Sequence, residues 1–269
     1  MPELPEVEVS RLGISPHITD QVVTKVIVRN GRLRWLVPDE VQLLVGQKVK
    51  AVTRRAKYLF IETDAGSGIL HLGMSGKLRV VDKDVELVKH DHIDIEFSNG
   101  KVLRYNDARR FGSFLWQEPN TTHKLLMKLG PEPLTEAFDA NVLFEQSRGK
   151  NTLVKNFIMD NHIVVGVGNI YANESLFKAG IDPRKPAGKI TKKAYGILTE
   201  HIKKTLAEAI VQGGTTLKDF TQSDGSPGYF AQELLVYGRA GKECLTCQNV
   251  IESIKIGQRN SFYCPSCQG

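Results

Sequence analysis

A chain of 269 residues is long enough for two domains, or for one with an appendage. With 41% hydrophobic and 25% charged side chains it has the material for a packed core, which excludes a disordered polymer. Lysine and arginine number 36 against 30 acidic residues, a net +6 that suits a polyanionic partner, and residues 1–130 hold 20 of those basic groups against 16 acidic ones. No apolar run approaches the roughly 18 residues that cross a bilayer, and the acidic start Met1-Pro-Glu-Leu-Pro-Glu6 is unlike a signal peptide, so a cytoplasmic protein with no membrane partner is expected.

Residues 2–13 predict a short helix, because Pro2 and Pro5 fit a first turn and Glu3, Glu6 and Glu8 suit its positive end. From Val22 to Trp116 the texture is β. Val22–Val28 is rich in β-branched residues, Val49–Glu62 and Ile69–Val81 follow, and His92–Phe97 alternates apolar with polar. Asn99-Gly100 predicts a hairpin turn into Lys101–Tyr105. Short strands at this spacing point to a β-sandwich rather than a parallel sheet. Gly130-Pro-Glu-Pro133 ends that region, and helical patterning then runs to about Phe220, broken at Asp182-Pro183 and Lys185-Pro186. Residues 213–228 are rich in Gly, Ser and Thr and read as a loop long enough to act as a lid. The fold class is α+β.

All four cysteines fall in the last 26 residues, as Cys244-Leu-Thr-Cys247 and Cys264-Pro-Ser-Cys267. Two such knuckles match a four-cysteine zinc pattern, and four thiolates leave no open position for water, so one structural zinc is expected. It would hold a hairpin too small to fold on its own core.

Other segments admit two readings each. Val165-Gly-Val-Gly-Asn-Ile-Tyr171 is either a corner between helices or a site offering N–H groups and Asn169 to a phosphate; Tyr171 at the third glycine position excludes a dinucleotide loop. If Val49–Ile61 is one strand, Lys57 shares a face with Val49, Ala51, Leu59 and Ile61, so it snorkels, pairs, or works as an amine of lowered pKa. Arg109-Arg-Phe-Gly112 is either a loop that reaches into DNA or a solvated turn with Phe111 in the core. Likewise Gly73-Met-Ser-Gly76 is either part of such a loop or only a glycine-flanked hairpin turn with Met74 a core filler. His90 and His92 are weak signals.

The start of the chain carries the sharpest chemistry. Removal of Met1 leaves Pro2 with a free secondary amine, whose pKa of about 7.7–8.0 lies well below the roughly 10.4 of lysine. A proline amine attacking an aldehyde-like carbon forms an iminium, a good electron sink, and Glu3 beside it can move a proton.

Taken together, Pro2–Glu8, Arg54-Arg-Ala-Lys-Tyr-Leu59, His71–Gly76, Arg109–Gly112, Val165–Tyr171, Gly213–Leu217, Pro227–Phe230, Val236–Arg239 and the four cysteines resemble the bacterial formamidopyrimidine-DNA glycosylase family over the whole chain. The resemblance implies a sandwich domain at 1–130 with its N-terminal helix, a helix–two-turn–helix domain with lid at 131–228, and a zinc ribbon at 229–269. It implies a monomer that acts on double-stranded DNA, with no organic cofactor, and excises 8-oxoguanine and ring-opened purines. Pro2 would form the Schiff base, Glu3 would assist base loss, Lys57 would donate a proton for β-elimination, and Arg259 would assist δ-elimination. His90, Arg109, Lys150 and Asn169 would contact DNA, while Met74, Arg109 and Phe111 would fill the gap left by the flipped nucleotide. The sister family, endonuclease VIII, prefers oxidised pyrimidines; Leu4, Met74 and Phe111 favour the purine enzyme.

Overall fold

In the computed structural model, which describes residues 2–214 and 234–269, the opening helix outruns its expected length: α1 spans Leu4–Ile18. Glu3 and Glu6 cap its start reciprocally, the Glu3 N–H reaching Glu6 Oε2 at 2.8 Å. Pro16 lies so near the end that its missing N–H interrupts only the last turn. Leu4, Val7, Ile14 and Ile18, spaced for one helical face, are buried.

Eight strands follow in the first unit, made of the described residues up to Met127 together with 212–214: β1 (Val23–Val28), β2 (Ala51–Arg55), β3 (Tyr58–Thr63), β4 (Gly66–His71), β5 (Lys77–Asp82), β6 (Asp91–Phe97), β7 (Lys101–Asn106) and β8 (Ser113–Gln117). They form two antiparallel sheets, in the orders β1-β6-β7-β5 and β2-β3-β4-β8. The expected sandwich is present, its core filled by residues such as Leu59, Ile61, Phe114, Ile93, Ile95 and Leu103. Helix α1 packs on the edge strands β2 and β5, one from each sheet, and so covers the sandwich's open side. The outward side chains of β6 are buried by pairing: Asp94 accepts from Arg104 Nε at 2.9 Å and from Arg29 Nη2 at 2.7 Å.

Three local expectations change. Val49–Ile61 is not one strand but the hairpin β2–β3, with Ala56-Lys57 as its two-residue turn and Arg55 paired with Tyr58. The turn resets the alternation, so Val52 and Leu59 face the core while Lys57 sits half-buried at the tip; the shared apolar face does not exist. Ala56 adopts φ +54° there without a glycine or asparagine to announce it. Ile69–Val81 likewise divides, and residues 72–76 are not a hairpin turn. They carry the chain from β4 in one sheet to β5 in the other. Asn99-Gly100 does close a hairpin, with only Gly100 at positive φ (+79°) and its N–H bonded to the Phe97 carbonyl.

The second unit joins Lys128–Val211 to the described residues from 234 onward. Its helices are α2 (Ala140–Ser147), α3 (Val154–Ile158), α4 (Asn169–Lys178) and α5 (Lys192–Val211), with the proline pairs at 182–186 breaking α4 from α5 as expected. In α5, Tyr195, Leu198, Ile202, Leu206 and Ala209 recur at helical spacing and are fully buried. The chain closes in the ribbon β9 (Glu252–Ile256) and β10 (Arg259–Tyr263). Most of the expected lid, residues 215–228, lies outside the described residues. No helix among the described residues is long and apolar enough to cross a membrane.

Candidate active site

Strand register places five of the candidate residues at one end of the sandwich. His71 ends β4 opposite Ser113, the start of β8, and opposite Tyr58, which follows Lys57. Asn106 ends β7 opposite Lys77 and opposite Asp91, which follows His90. The β2–β3 turn with Lys57, the crossover with Met74, the residue His90 and the β7–β8 crossover with Arg109 and Phe111 are therefore neighbours. The two crossovers touch closely: a Cβ on Gly73 would lie 2.4 Å from the Gly112 nitrogen, and one on Gly112 would lie 1.8 Å from the Tyr105 hydroxyl. Only glycine permits this approach.

Between these loops opens a cavity of about 660 Å³ lined by Arg32, Leu33, Arg34, His71, Gly73, Met74, Arg109, Arg110 and Phe111. Four arginines and no carboxylate line it among the described residues, so its field favours an anion. Phe111 is 44% exposed, which removes the core reading of that residue, and the Arg109 guanidinium stacks 4.8 Å from its ring centroid. Met74 is half-buried in the cavity wall rather than a core filler. His71 is pushed down to about 4, first by burial and then by the Lys57 and Arg34 cations. Its Nδ1 also accepts the Gly73 N–H at 3.0 Å, a bond that protonation there would break.

Pro2 and Glu3 are buried at the head of α1 and are not part of this cavity's lining. They are tied to the Lys57 turn through Glu8 and Arg54. Arg54 Nε donates to Glu8 Oε2 at 2.8 Å, and Arg54 Nη1 donates to the Ala56 carbonyl at 2.9 Å, bracing the turn against the helix. Burial opposes the Glu8 charge, but Arg11 and Arg54 outweigh it and hold the carboxyl below the usual range.

In the second unit Gly168 caps α4, and Asn169 is its first residue. Asn169 Oδ1 accepts from the buried Lys155 Nζ at 2.6 Å, and its Nδ2 donates to the Asn260 carbonyl at 3.1 Å; Lys155 also reaches Ser261 Oγ at 2.6 Å. The glycine-rich corner is thus locked to the ribbon strand that begins at Arg259, itself exposed. Lys150 is exposed in the loop after α2. Glu174 of α4 accepts the N–H groups of Leu235, Val236 and Tyr237 at 2.8–3.0 Å.

The four cysteine sulfurs lie within 4.8 Å of one another, with Cys244–Cys267 at 3.9 Å and Cys247–Cys264 at 3.4 Å. No disulfide joins them. Sulfurs about 3.8 Å apart are what a tetrahedral ion with bonds of about 2.3 Å requires, so the residues fit a structural metal. Hydrogen bonds from the Asn249 N–H and the neighbouring thiols hold Cys247 below the ordinary thiol range, whereas burial and the neighbouring thiols hold Cys267 above it.

Residues that the sequence reading passed over are Arg32, Arg34, Tyr105, Asp107, Lys155 and Glu174. The alternating cations of Arg32-Leu-Arg34 were a usable signal. The buried polar residues gave none, because their partners are distant in sequence.

Fold and site define a class: a two-sheet sandwich that pairs a capped proline terminus with a basic cavity, on a chain that ends in a helical unit closed by a four-cysteine ribbon. Residues 1–114 match the family model described as the formamidopyrimidine-DNA glycosylase N-terminal domain, 129–221 that family's H2TH domain, and 241–269 the zinc finger found in FPG and IleRS. The formamidopyrimidine-DNA glycosylase of Pseudoalteromonas atlantica is 64% identical over all of both chains. A Lactococcus lactis FPG variant solved with Fapy-dG-containing DNA superposes with a TM-score of 0.93 at 33% identity, covering 99% of each chain. MutM in complex with carbocyclic 8-oxo-G-containing DNA gives 0.91 at 34%, again covering 99% of each. The chain belongs to the formamidopyrimidine-DNA glycosylase family, a family of DNA-repair enzymes.

Proposed function

We propose that this chain excises 8-oxoguanine and formamidopyrimidines from duplex DNA through a Schiff base at Pro2 and then cuts the strand by β,δ-elimination. The observation that carries the reading is the gathering of Lys57, Met74, His90, Arg109 and Phe111 at one end of the sandwich, where Met74, Arg109 and Phe111 line a cavity that holds four arginines. Support for the substrate comes from the family relatives solved with Fapy-dG and 8-oxo-G DNA.

With Met1 removed, the Pro2 nitrogen attacks C1′ of the damaged nucleotide while the bond from C1′ to the base breaks. Glu3 supplies the proton that opens the sugar and assists base loss. The iminium then draws electrons as the 2′ proton leaves, with Lys57 moving a proton at this step, and the 3′ phosphate departs; Arg259 holds a phosphate for the second elimination. Phe111, Met74 and Arg109 occupy the space vacated by the flipped nucleotide. His90, Lys150 and Asn169 contact the DNA backbone. The work divides among a catalytic part at 1–130, a DNA-gripping part with its lid at 131–228, and the ribbon at 229–269, where Cys244, Cys247, Cys264 and Cys267 hold one zinc ion that stiffens the hairpin carrying Arg259. No organic cofactor is needed for this chemistry. The enzyme acts as a monomer in the cytoplasm on nucleoid DNA.

The test is a duplex with one 8-oxoguanine opposite cytosine. Incubation is expected to give a one-nucleotide gap flanked by phosphates. An intact strand after incubation, with a parallel duplex bearing an oxidised pyrimidine fully cut, would move the chain to the pyrimidine-specific sister activity.

A further inference from the structure

The residues proposed to reach toward DNA from the sandwich stand on three separate segments; the Asp107 side chain bonds to two of them and its backbone bonds to the third. Asp107 is fully buried, and its carboxylate accepts four hydrogen bonds. Oδ1 takes the Ser75 hydroxyl at 2.6 Å, from the residue next to Met74, and the Arg109 N–H at 3.2 Å. Oδ2 takes the Gly112 N–H at 2.9 Å, from the residue next to Phe111, and the Tyr105 hydroxyl at 3.1 Å. Its own N–H donates to the His90 carbonyl at 3.1 Å, and its carbonyl accepts from His92 Nε2 at 2.8 Å.

We propose that Asp107 is the positioning residue that holds the Met74, His90 and Arg109–Phe111 segments in register, and that it thereby sets discrimination of the base opposite the lesion. This rests on the function proposed above. A buried carboxylate is costly unless its lone pairs are filled, and here donors fill all four. Three of the four donors come from the two crossovers: the Ser75 hydroxyl, the Arg109 N–H and the Gly112 N–H. The crossovers already touch too closely at Gly73 and Gly112 to slide independently. Asparagine has nearly the same shape but presents an amide N–H₂ to two of these donors, which forces the loops apart by donor–donor repulsion. Arg109 in the gap would donate to the O2 and N3 acceptors of the orphaned cytosine, and a shift of about 1 Å in a positioned group is enough to spoil such a bidentate contact.

The experiment measures single-turnover excision of 8-oxoguanine opposite cytosine and opposite adenine, for the wild type and for Asp107→Asn, with thermal melting of each. The wild type is expected to prefer cytosine roughly ten-fold or more, and Asp107→Asn to bring that ratio to within about two-fold of unity. A role in stability alone lowers the active fraction and scales both rates equally. A folded Asp107→Asn that keeps the wild-type ratio therefore overturns the proposal, as does a wild type that cuts both duplexes alike. A wild type that cuts neither overturns the proposed function itself. Should Asp107→Asn fail to fold, Ser75→Ala removes one donor to Oδ1 and is expected to lower the ratio about two- to five-fold; an unchanged ratio there overturns the proposal as well.

Discussion

The cysteine ribbon and the loop end of the sandwich are built on opposite plans. The ribbon gathers its ligands from two knuckles 16 residues apart, and each knuckle is local. The sandwich end draws on residues near 34, 57, 71–76, 90 and 105–112, brought together only by pairing and crossing of strands. Its order comes from a buried carboxylate and close glycine contacts, where the ribbon's comes from an ion. The lesson is that a metal site concentrates its stability in few bonds, whereas the loop end spreads it across many small ones.

That contrast is broken most severely at the ribbon. Cys247→Ser, or a strong chelator, removes binding energy of about 10–16 kcal/mol that is also folding energy. The expected result is a metal-free protein by elemental analysis, loss of DNA binding, and a sandwich that still melts cooperatively; full DNA binding without metal would show that the ribbon stands without it. At the loop end the effects are smaller. Arg109→Ala, by removing a donor to the cytosine O2 and N3 acceptors, is expected to weaken binding and lower the cytosine-over-adenine preference by about ten-fold, from a contact of about 1–3 kcal/mol. A variant that binds less well but keeps its preference would assign Arg109 to a phosphate.

Gly73→Ala sharpens the comparison further. A Cβ there meets Phe111 and Gly112 backbone at 2.4 Å with φ at +63°, so a loss of about 1–3 kcal/mol is expected in denaturant unfolding. Gly100→Ala, at φ +79° with open space around it, should cost about 1 kcal/mol. Equal costs would mean that the crossovers are not wedged together.

A further effect concerns pH. With its folded pKa at about 4, below the ordinary 6.5, His71 stays neutral where the unfolded chain binds a proton. Its contribution to stability is full above about 6.5 and is lost as pH falls toward 4. Imidazole nitrogen shifts in an NMR titration report this directly, and a midpoint near 6.5 would contradict the account of the cavity's cations.

These regions also differ in how far the sequence disclosed them. The Cys-x-x-Cys spacing revealed the four-cysteine cluster, and Pro2-Glu3 stood out because a proline amine has its own chemistry. Strand content was readable from β-branched runs, but strand ends were not. Ala56-Lys57 turns the chain at φ +54° with no turn-forming residue, and one unseen turn reversed the face assigned to Lys57. Gly73, Gly76 and Gly112 were visible as glycines, yet the reason for them, two crossovers in contact, exists only in three dimensions. Asp107 carried no signal at all, since Ser75 lies 32 residues away and a buried aspartate looks like a surface one in sequence.

Borohydride trapping tests the central claim most directly. Reduction during reaction with a duplex bearing 8-oxoguanine opposite cytosine is expected to freeze a protein–DNA adduct whose peptide map places the link on the Pro2 nitrogen, and Pro2→Gly should alter or abolish it. An adduct mapped to Lys57, formed at the wild-type rate by Pro2→Gly, would contradict the account.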